Sequence, residues 1–96
     1  MYIISLTYKV PLEEVDQHLD NHIEYLNKQY DLGNFQASGR KVPRTGGIIL
    51  SKISDKNKLL EIIEEDPFKK NNIADYDLIE FMPTKTSEEL KVIMNW

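Results

Sequence analysis

The sequence predicts a small α+β domain in which one antiparallel sheet carries two helices on a single face. A chain of 96 residues fits one domain with one hydrophobic core. Its hydrophobic patterns follow the order strand, helix, strand, strand, helix, strand. Two split βαβ units in this order form the ferredoxin-like βαββαβ sandwich. The first strand is apolar on both sides, so the second sheet face needs a cover, which we expect a partner subunit to supply.

The first half of the chain supplies a strand, a long helix and a second strand. Apolar and polar residues alternate over Tyr2–Tyr8, which is the period-two pattern of a strand. One helix is predicted over Pro11–Leu32, because a proline suits the first helical turn. Gly33 follows as a residue that can take the left-handed conformation with which helices end. A short strand is predicted over Asn34–Arg40.

The second half supplies two strands around a second helix. Residues 41–45 predict a turn, and Gly46–Ile53 predicts the third strand. Ser54 is a candidate N-cap for the second helix. Asp66 ends that helix, because the residue before a proline is disfavoured in the α conformation. The fourth strand is predicted over Ala74–Met82.

The last residues, 84–96, are predicted as a helical tail outside a domain of residues 1–83. Thr86 and Glu89 have the spacing of a capping box, and a short apolar pattern follows them. A role of this tail and Trp96 in higher assembly is one structural possibility.

Composition limits the possible functions. A formal net charge of −4 disfavours nucleic acids and anionic membranes as partners. The lack of cysteine excludes disulfides, thiolate nucleophiles and cysteine zinc sites. No basic leader and no stretch of about 20 apolar residues is found, so neither a secretion signal nor a membrane span is predicted, and a cytoplasmic location is expected.

His22 is the first candidate for proton chemistry. At about 100° per residue, it lies roughly 60° from the centre of an apolar stripe on the first helix, so we expect it to be half buried. Histidine is the only side chain whose unperturbed pKa lies near neutrality. The alternative is a histidine that fills the helix boundary and hydrogen-bonds a carbonyl. The predicted stripe consists of Leu12, Leu19, Ile23, Leu26 and Tyr30.

Two further groups of residues could bind a ligand or a metal. Arg40, Lys41 and Arg44 cluster in the predicted turn and could hold a carboxylate, although such a cluster could also be a solvated loop. His18 and His22 have the i, i+4 spacing of two metal ligands on a helix. No third ligand and no adjacent glutamate accompany them, so the metal motif is incomplete and no metal is predicted.

Several motifs are those of a known family. The most specific is Asp66-Pro67-Phe68 at the end of the second helix, in combination with a histidine in the first. On these residues, the domain over 1–83 resembles the YciI-like proteins, which contain the YCII-related domain. Leu19 and Arg40 stand where many members have arginine and proline, respectively. Further matching residues are His22, Tyr25, Leu26, Gly33, Ala37-Ser38-Gly39 and Gly46-Gly47.

The resemblance implies a homodimer in which the sheets of two ferredoxin-like subunits face each other as a dimeric α+β barrel. It also implies a His-Asp site, which corresponds to His22 and Asp66 here. At least one member of the family is a dehydrochlorinase of a chlorinated aromatic breakdown pathway. The candidate substrate-binding residues are Ser38, Gly39, Arg40 and Arg44.

The sequence therefore predicts a small enzyme that needs no cofactor and acts on a small anionic carbonyl compound. His22, oriented by Asp66, would remove a proton next to the carbonyl, and elimination or isomerisation would follow, as in a lyase or an isomerase. Asp66 could instead only accept backbone hydrogen bonds and shape its turn. The alternative function is a non-catalytic dimeric module that binds a small ligand.

Overall fold

Four strands form one antiparallel sheet, in the predicted α+β ferredoxin-like arrangement. The computed structural model describes residues 1–96. The sheet order is β2-β3-β1-β4, and every neighbouring pair is antiparallel. The strands are β1 (Tyr2–Tyr8), β2 (Ala37–Arg40), β3 (Gly46–Ser51) and β4 (Ala74–Glu80). The helices are α1 (Leu12–Gln17), α2 (Leu19–Asp31), α3 (Lys56–Glu64), α4 (Pro67–Lys70) and a 3₁₀ helix, η1 (Glu88–Asn95).

The core lies between the helices and one face of the sheet. Tyr2, Ile4 and Leu6 of β1 are buried, whereas the residues between them are only half buried. Ile4 pairs with Ile49 of β3 and with Leu78 of β4, so these residues face the same side. This alternation is the pattern of a sheet that packs on a core with one face.

The other sheet face carries apolar side chains that no helix covers. Ile3 pairs with Leu50 on one side and with Ile79 on the other, and Leu50 pairs in turn with Ala37. These four residues form a row across all four strands, and each is half buried or exposed. Both faces of the sheet are therefore partly apolar, as the pattern of β1 predicts.

The prediction of one helix over Pro11–Leu32 is wrong, because the chain forms α1 and α2 with a break at His18. The backbone of His18 has φ −109° and ψ 2°, outside the α region, and it ends α1 and begins α2. The predicted end of the helix is confirmed: Leu32 is the C-cap of α2, and Gly33 follows with φ +76°.

The buried face of α2 also differs from the predicted stripe. It consists of His22, Tyr25 and Gln29, while Ile23 and Tyr30 are 44% and 37% exposed. The buried polar side chains are paired. The Tyr25 hydroxyl donates to the backbone carbonyl of Ile62 at 2.7 Å, and the side-chain oxygen of Gln29 accepts from the side-chain amide of Asn34 at 2.8 Å. Apolar periodicity cannot predict this face, because specific hydrogen bonds allow its burial.

The ends of other elements differ from prediction by a few residues. Asp55, not Ser54, is the N-cap of α3, because its carboxylate accepts hydrogen bonds from the backbone N–H groups of Asn57 and Lys58. In the tail, Ser87 is the N-cap of η1 and makes no side-chain capping bond, so the predicted capping box does not form. No helix is both long and apolar enough to cross a membrane.

Candidate active site

Asp66 lies at a tight junction between α3 and α4. Its backbone is extended, and its carboxylate caps α4 by accepting a hydrogen bond from the Phe68 N–H at 2.9 Å. Pro67 occupies the first helical position, where a missing N–H costs nothing. The side chain is fully buried. The Asp-Pro-Phe sequence therefore folds a carboxylate into the core and satisfies one of its lone pairs locally.

His22 completes the junction from α2. Its Nδ1 lies 2.8 Å from Oδ1 of Asp66, and the histidine is only 8% exposed. The ring stacks on Phe68 with 3.9 Å between centroids and 5° between planes. A carboxylate accepts hydrogen bonds only, so we assign a proton to Nδ1. The aspartate and the phenylalanine of the motif thus fix both the tautomer and the ring orientation.

The second ring nitrogen of His22, Nε2, is available for chemistry. It has no hydrogen-bond partner in the protein, whereas every buried side-chain nitrogen and oxygen atom does have one. Nε2 is therefore accessible to solvent, although most of the ring is buried. With the proton on Nδ1, Nε2 carries the lone pair that accepts a proton in general base catalysis.

A third donor reaches Asp66 from the sheet. The Tyr76 hydroxyl donates to Oδ2 of Asp66 at 2.5 Å, while Oδ1 is shared by His22 and the Phe68 N–H. Burial, followed by the nearby Asp66 carboxylate, raises the pKa of Tyr76 well above its ordinary value. The same two causes, in the same order, raise the pKa of Tyr25. Both phenols are therefore neutral hydrogen-bond donors.

A cavity of about 150 Å³ opens between α2 and the β2–β3 side of the sheet, and His22 is part of its wall. At Gly46 in this wall, a Cβ atom would lie 1.8 Å from the carbonyl oxygen of Leu6. Only glycine allows β3 to approach β1 this closely. The residues that line the cavity are Tyr8, Leu19, His22, Ile23, Leu26, Ser38, Gly39, Arg40, Gly46, Gly47, Ile48 and Ile49.

Three of the four predicted substrate-binding residues share this cavity with His22. Ser38, Gly39 and Arg40 lie on its β2 wall. The Ser38 hydroxyl is 2.5 Å from the Tyr30 hydroxyl of α2. The structure places Arg44 elsewhere, outside the cavity lining and with its guanidinium 2.6 Å from the Asp16 carboxylate of α1.

The basic residues of the β2–β3 turn differ in their partners. Lys41 donates to the Thr7 hydroxyl at 3.2 Å, and Arg44 is paired with Asp16. Arg40 makes no side-chain hydrogen bond or ion pair within the protein, and it is exposed at the cavity. Arg40 is thus the one cation of the three that remains free to meet an anion.

The structure does not assemble a set of metal ligands. No group of three histidine, aspartate or glutamate side chains is close enough to hold a metal ion. Nδ1 of His22 is already bonded to Asp66, and His18 lies at the break between α1 and α2. His18 is the N-cap of α2, the helix that carries His22, so the i, i+4 spacing starts at the break and not within a continuous helix.

Two tyrosines of the site were not predicted from the sequence. Tyr76 pairs with Leu6 and faces the core from β4, and Tyr8 lines the cavity and packs edge-on against Phe68 at 5.9 Å. A signal was present, because Tyr76 is a polar residue on the same strand face as Leu78. A hydroxyl at a core-facing position requires a partner, and that partner is Asp66.

Comparison with known proteins gives a family and a fold. The family model described as the YCII-related domain matches residues 1–82. A solved structure with TM-score 0.70 is the 5-chloro-2-hydroxyhydroquinone dehydrochlorinase (TftG) from Burkholderia phenoliruptrix AC1100, in complex with 2,5-dihydroxybenzoquinone. The match has 16% sequence identity and covers 84% of this chain and 93% of that one. No curated protein sequence matches significantly.

Proposed function

Because this chain belongs to the YCII-related domain family, we propose that it is a small enzyme that performs acid–base chemistry on a small anionic carbonyl compound without a cofactor. His22 is the general base, and Asp66 orients it. The observation that carries this proposal is the asymmetry of the imidazole: Nδ1 is bonded to a fully buried carboxylate, while Nε2 is accessible in a ring that lines a cavity. That arrangement is how proteins prepare a histidine to accept a proton.

The proposed reaction begins with proton transfer from a carbon next to a carbonyl to Nε2 of His22. The electron pair of the broken C–H bond moves toward the carbonyl, which becomes an enolate. In an elimination the enolate re-forms the carbonyl, a C=C bond forms, and a halide leaves the neighbouring carbon with its bonding electrons; His22 then gives its proton to water. In an isomerisation His22 returns the same proton at another carbon of the product. Asp66 stabilises the imidazolium in both cases.

The cavity and Arg40 define the proposed substrate class. A cavity of about 150 Å³ is the size that holds one six-membered carbon ring. Arg40 is free to form a charge-assisted, two-pronged contact with an oxyanion of that ring. The dehydrochlorinase of similar fold acts, by its name, on a chlorinated hydroxyhydroquinone and was solved with a dihydroxybenzoquinone. We therefore propose hydroxyquinones and related ring-derived acids as the compounds to test first.

We further propose that the uncovered sheet face pairs with a second copy of the chain. The row formed by Ile79, Ile3, Leu50 and Ala37 would be buried between two sheets, and its burial would favour association. We expect sedimentation to give twice the mass of 11.2 kDa and Ile3→Lys to give the monomer mass. Thr7→Lys, at the polar end of the same strand face, is the control. A monomeric wild type contradicts the proposal.

The catalytic role is tested with purified protein and a panel of halogenated hydroxyhydroquinones, muconates and lactones, in which halide release and loss of the substrate's ultraviolet absorbance are measured. We expect wild-type turnover and a loss of at least about 100-fold in His22→Ala, because general base catalysis contributes at least that much. His18→Ala is the matched control, because His18 is the other histidine of the chain and does not line the cavity.

Two results contradict the catalytic proposal. Equal turnover by wild type and His22→Ala removes His22 from the mechanism. Saturable binding of a panel compound without turnover by the wild type, with affinity reduced in Arg40→Gln, supports the alternative function of a non-catalytic module that binds a small ligand.

A further inference from the structure

We propose that Tyr76 is a positioning residue that sets how strongly His22 holds a proton, by sharing the carboxylate of Asp66. This inference rests on the proposed function only in giving His22 the role of the base. The effect itself belongs to a hydrogen-bonded chain of three side chains and is measurable without any substrate.

The two oxygens of the Asp66 carboxylate accept hydrogen bonds from different donors. Oδ1 of Asp66 accepts from His22 and from the Phe68 N–H, whereas Oδ2 accepts from the Tyr76 hydroxyl. Asp66 is fully buried, so bulk water does not compete with these donors. A hydroxyl that donates to a carboxylate draws negative charge toward its own oxygen. The charge that Oδ1 offers to a protonated imidazole is thereby reduced.

Tyr76 is held independently of the helix that carries His22. It lies on β4, where its register is fixed by pairing with Leu6 of β1. Its ring is partly buried and has the ammonium group of Lys69 at 5.7 Å from its centroid. The sheet thus places a donor on one side of Asp66, and α2 places the imidazole on the other.

Other titratable groups surround this chain, but none bonds to the carboxylate. Tyr25 of α2 donates to the carbonyl of Ile62, and Tyr8 of β1 packs against Phe68. The side chains of Glu64 and Glu65, at the end of α3, and of Lys69 in α4 make no hydrogen bond to the Asp66 carboxylate. Among the neighbouring titratable side chains, only His22 and Tyr76 are hydrogen-bonded to the Asp66 carboxylate.

The consequence concerns the fraction of His22 that can act as a base. With Tyr76 in place, Asp66 attracts the proton of the imidazolium less strongly, so more His22 is in the neutral form at neutral pH. Without the hydroxyl, the carboxylate places more charge on Oδ1 and stabilises the imidazolium.

The experiment is a titration of the His22 ring by long-range ¹H–¹⁵N correlation NMR, in the wild type and in Tyr76→Phe. We expect the midpoint of the His22 titration to rise by about one pH unit in Tyr76→Phe, the size of effect given by one hydrogen bond to a charged group. Tyr25→Phe is the matched control, because it removes a buried hydroxyl near the site that donates to a backbone carbonyl instead of Asp66. We expect it to leave the midpoint unchanged.

Several outcomes would overturn the inference. An unchanged or lowered midpoint in folded Tyr76→Phe contradicts it, as does an equal rise in Tyr25→Phe. A second measurement needs no variant: the Tyr76 hydroxyl proton of the wild type should be far downfield and should change its chemical shift as His22 titrates. A hydroxyl resonance that does not respond would also refute the coupling. Loss of turnover in His22→Ala bears on the proposed function alone, so failure of the two proposals is distinguishable.

Discussion

The two walls of the cavity are built in opposite ways. On the α2 wall, His22 is held by Asp66 and Phe68 at the start of α4. All three residues are buried, and every polar atom of this junction except Nε2 of His22 has a partner. On the β2 wall, all four residues of the strand are exposed, and Arg40 has no partner within the protein. The side chains at His22 are buried and hydrogen-bonded at every polar atom but one, whereas the β2 wall is exposed and retains a free cation.

Under the proposed function, this difference separates the residues that perform the chemistry from those that bind the ligand. A base must have its proton and its ring orientation fixed before the substrate arrives, and burial with complete hydrogen bonding provides this. A residue that selects a ligand must instead exchange water for that ligand, which requires exposure. Substitutions on the first wall should therefore change stability, whereas substitutions on the second should change binding.

The largest effect on the free energy of unfolding is expected from a substitution of Asp66. Asp66→Ala removes a helix cap and leaves the Phe68 N–H, the Tyr76 hydroxyl and the His22 ring without their partner, so we expect a loss of about 3–5 kcal/mol in the free energy of unfolding by urea denaturation. Asp16→Ala is the matched control, because Asp16 is half exposed and pairs only with Arg44. Similar losses in both variants would contradict the expectation that the buried junction around Asp66 stabilises the fold more than an exposed ion pair does.

An effect of intermediate size on the free energy of unfolding is expected at alkaline pH. Burial, and then the charge of Asp66, raises the pKa of Tyr25 and Tyr76 above about 10, the ordinary value for tyrosine. A group whose folded pKa is raised stabilises the fold fully below its unfolded pKa and loses that contribution as pH increases. Above about pH 10, we expect each tyrosine to reduce the unfolding free energy by about 1.4 kcal/mol per pH unit.

Urea denaturation at a series of pH values between 9 and 11.5 measures the slope of the unfolding free energy against pH. Tyr25→Phe and Tyr76→Phe should each make the slope shallower, and the double variant should have the shallowest slope. A residual slope is expected, because burial also raises the pKa of Tyr2. A wild type whose stability stays constant over this range would show that burial does not keep the phenols of Tyr25 and Tyr76 neutral.

The smallest effect on stability is expected at Arg40. Because Arg40 is exposed and unpaired, Arg40→Gln should change the unfolding free energy by no more than about 0.5 kcal/mol. The affinity of the Arg40→Gln variant for 2,5-dihydroxybenzoquinone, measured by calorimetry, should be about tenfold lower than that of the wild type. Added salt should reduce this difference in affinity between the two proteins. Arg44→Gln is the matched variant. If it weakens binding equally, Arg44 belongs to the site, as the sequence predicts.

Much of the fold could be predicted because its signals are local. The alternation of β1, the left-handed Gly33 and the Asp66-Pro67 boundary each depend on a few neighbouring residues, and each appears in the structure. Both interpretations of Asp66 hold at the level of geometry, since the same carboxylate caps α4 and contacts His22.

What could not be predicted depends on distant residues. The buried face of α2 contains Tyr25, whose hydroxyl donates to the carbonyl of Ile62, 37 positions further along the chain. Tyr76 reaches Asp66 only because the sheet register brings β4 beside β1. A periodic pattern reports which residues are apolar, but it does not report which polar atoms meet across the core.

The glycine at position 46 also determines which parts of the cavity are open to redesign. A side chain there would collide with the carbonyl oxygen of Leu6, so the cavity cannot be narrowed from that point without separating two central strands. Ile23 and Ser38 lie on facing elements, and both are at least partly exposed. An engineer who wishes to alter ring size or substituent preference should vary these two positions and leave the glycine in place.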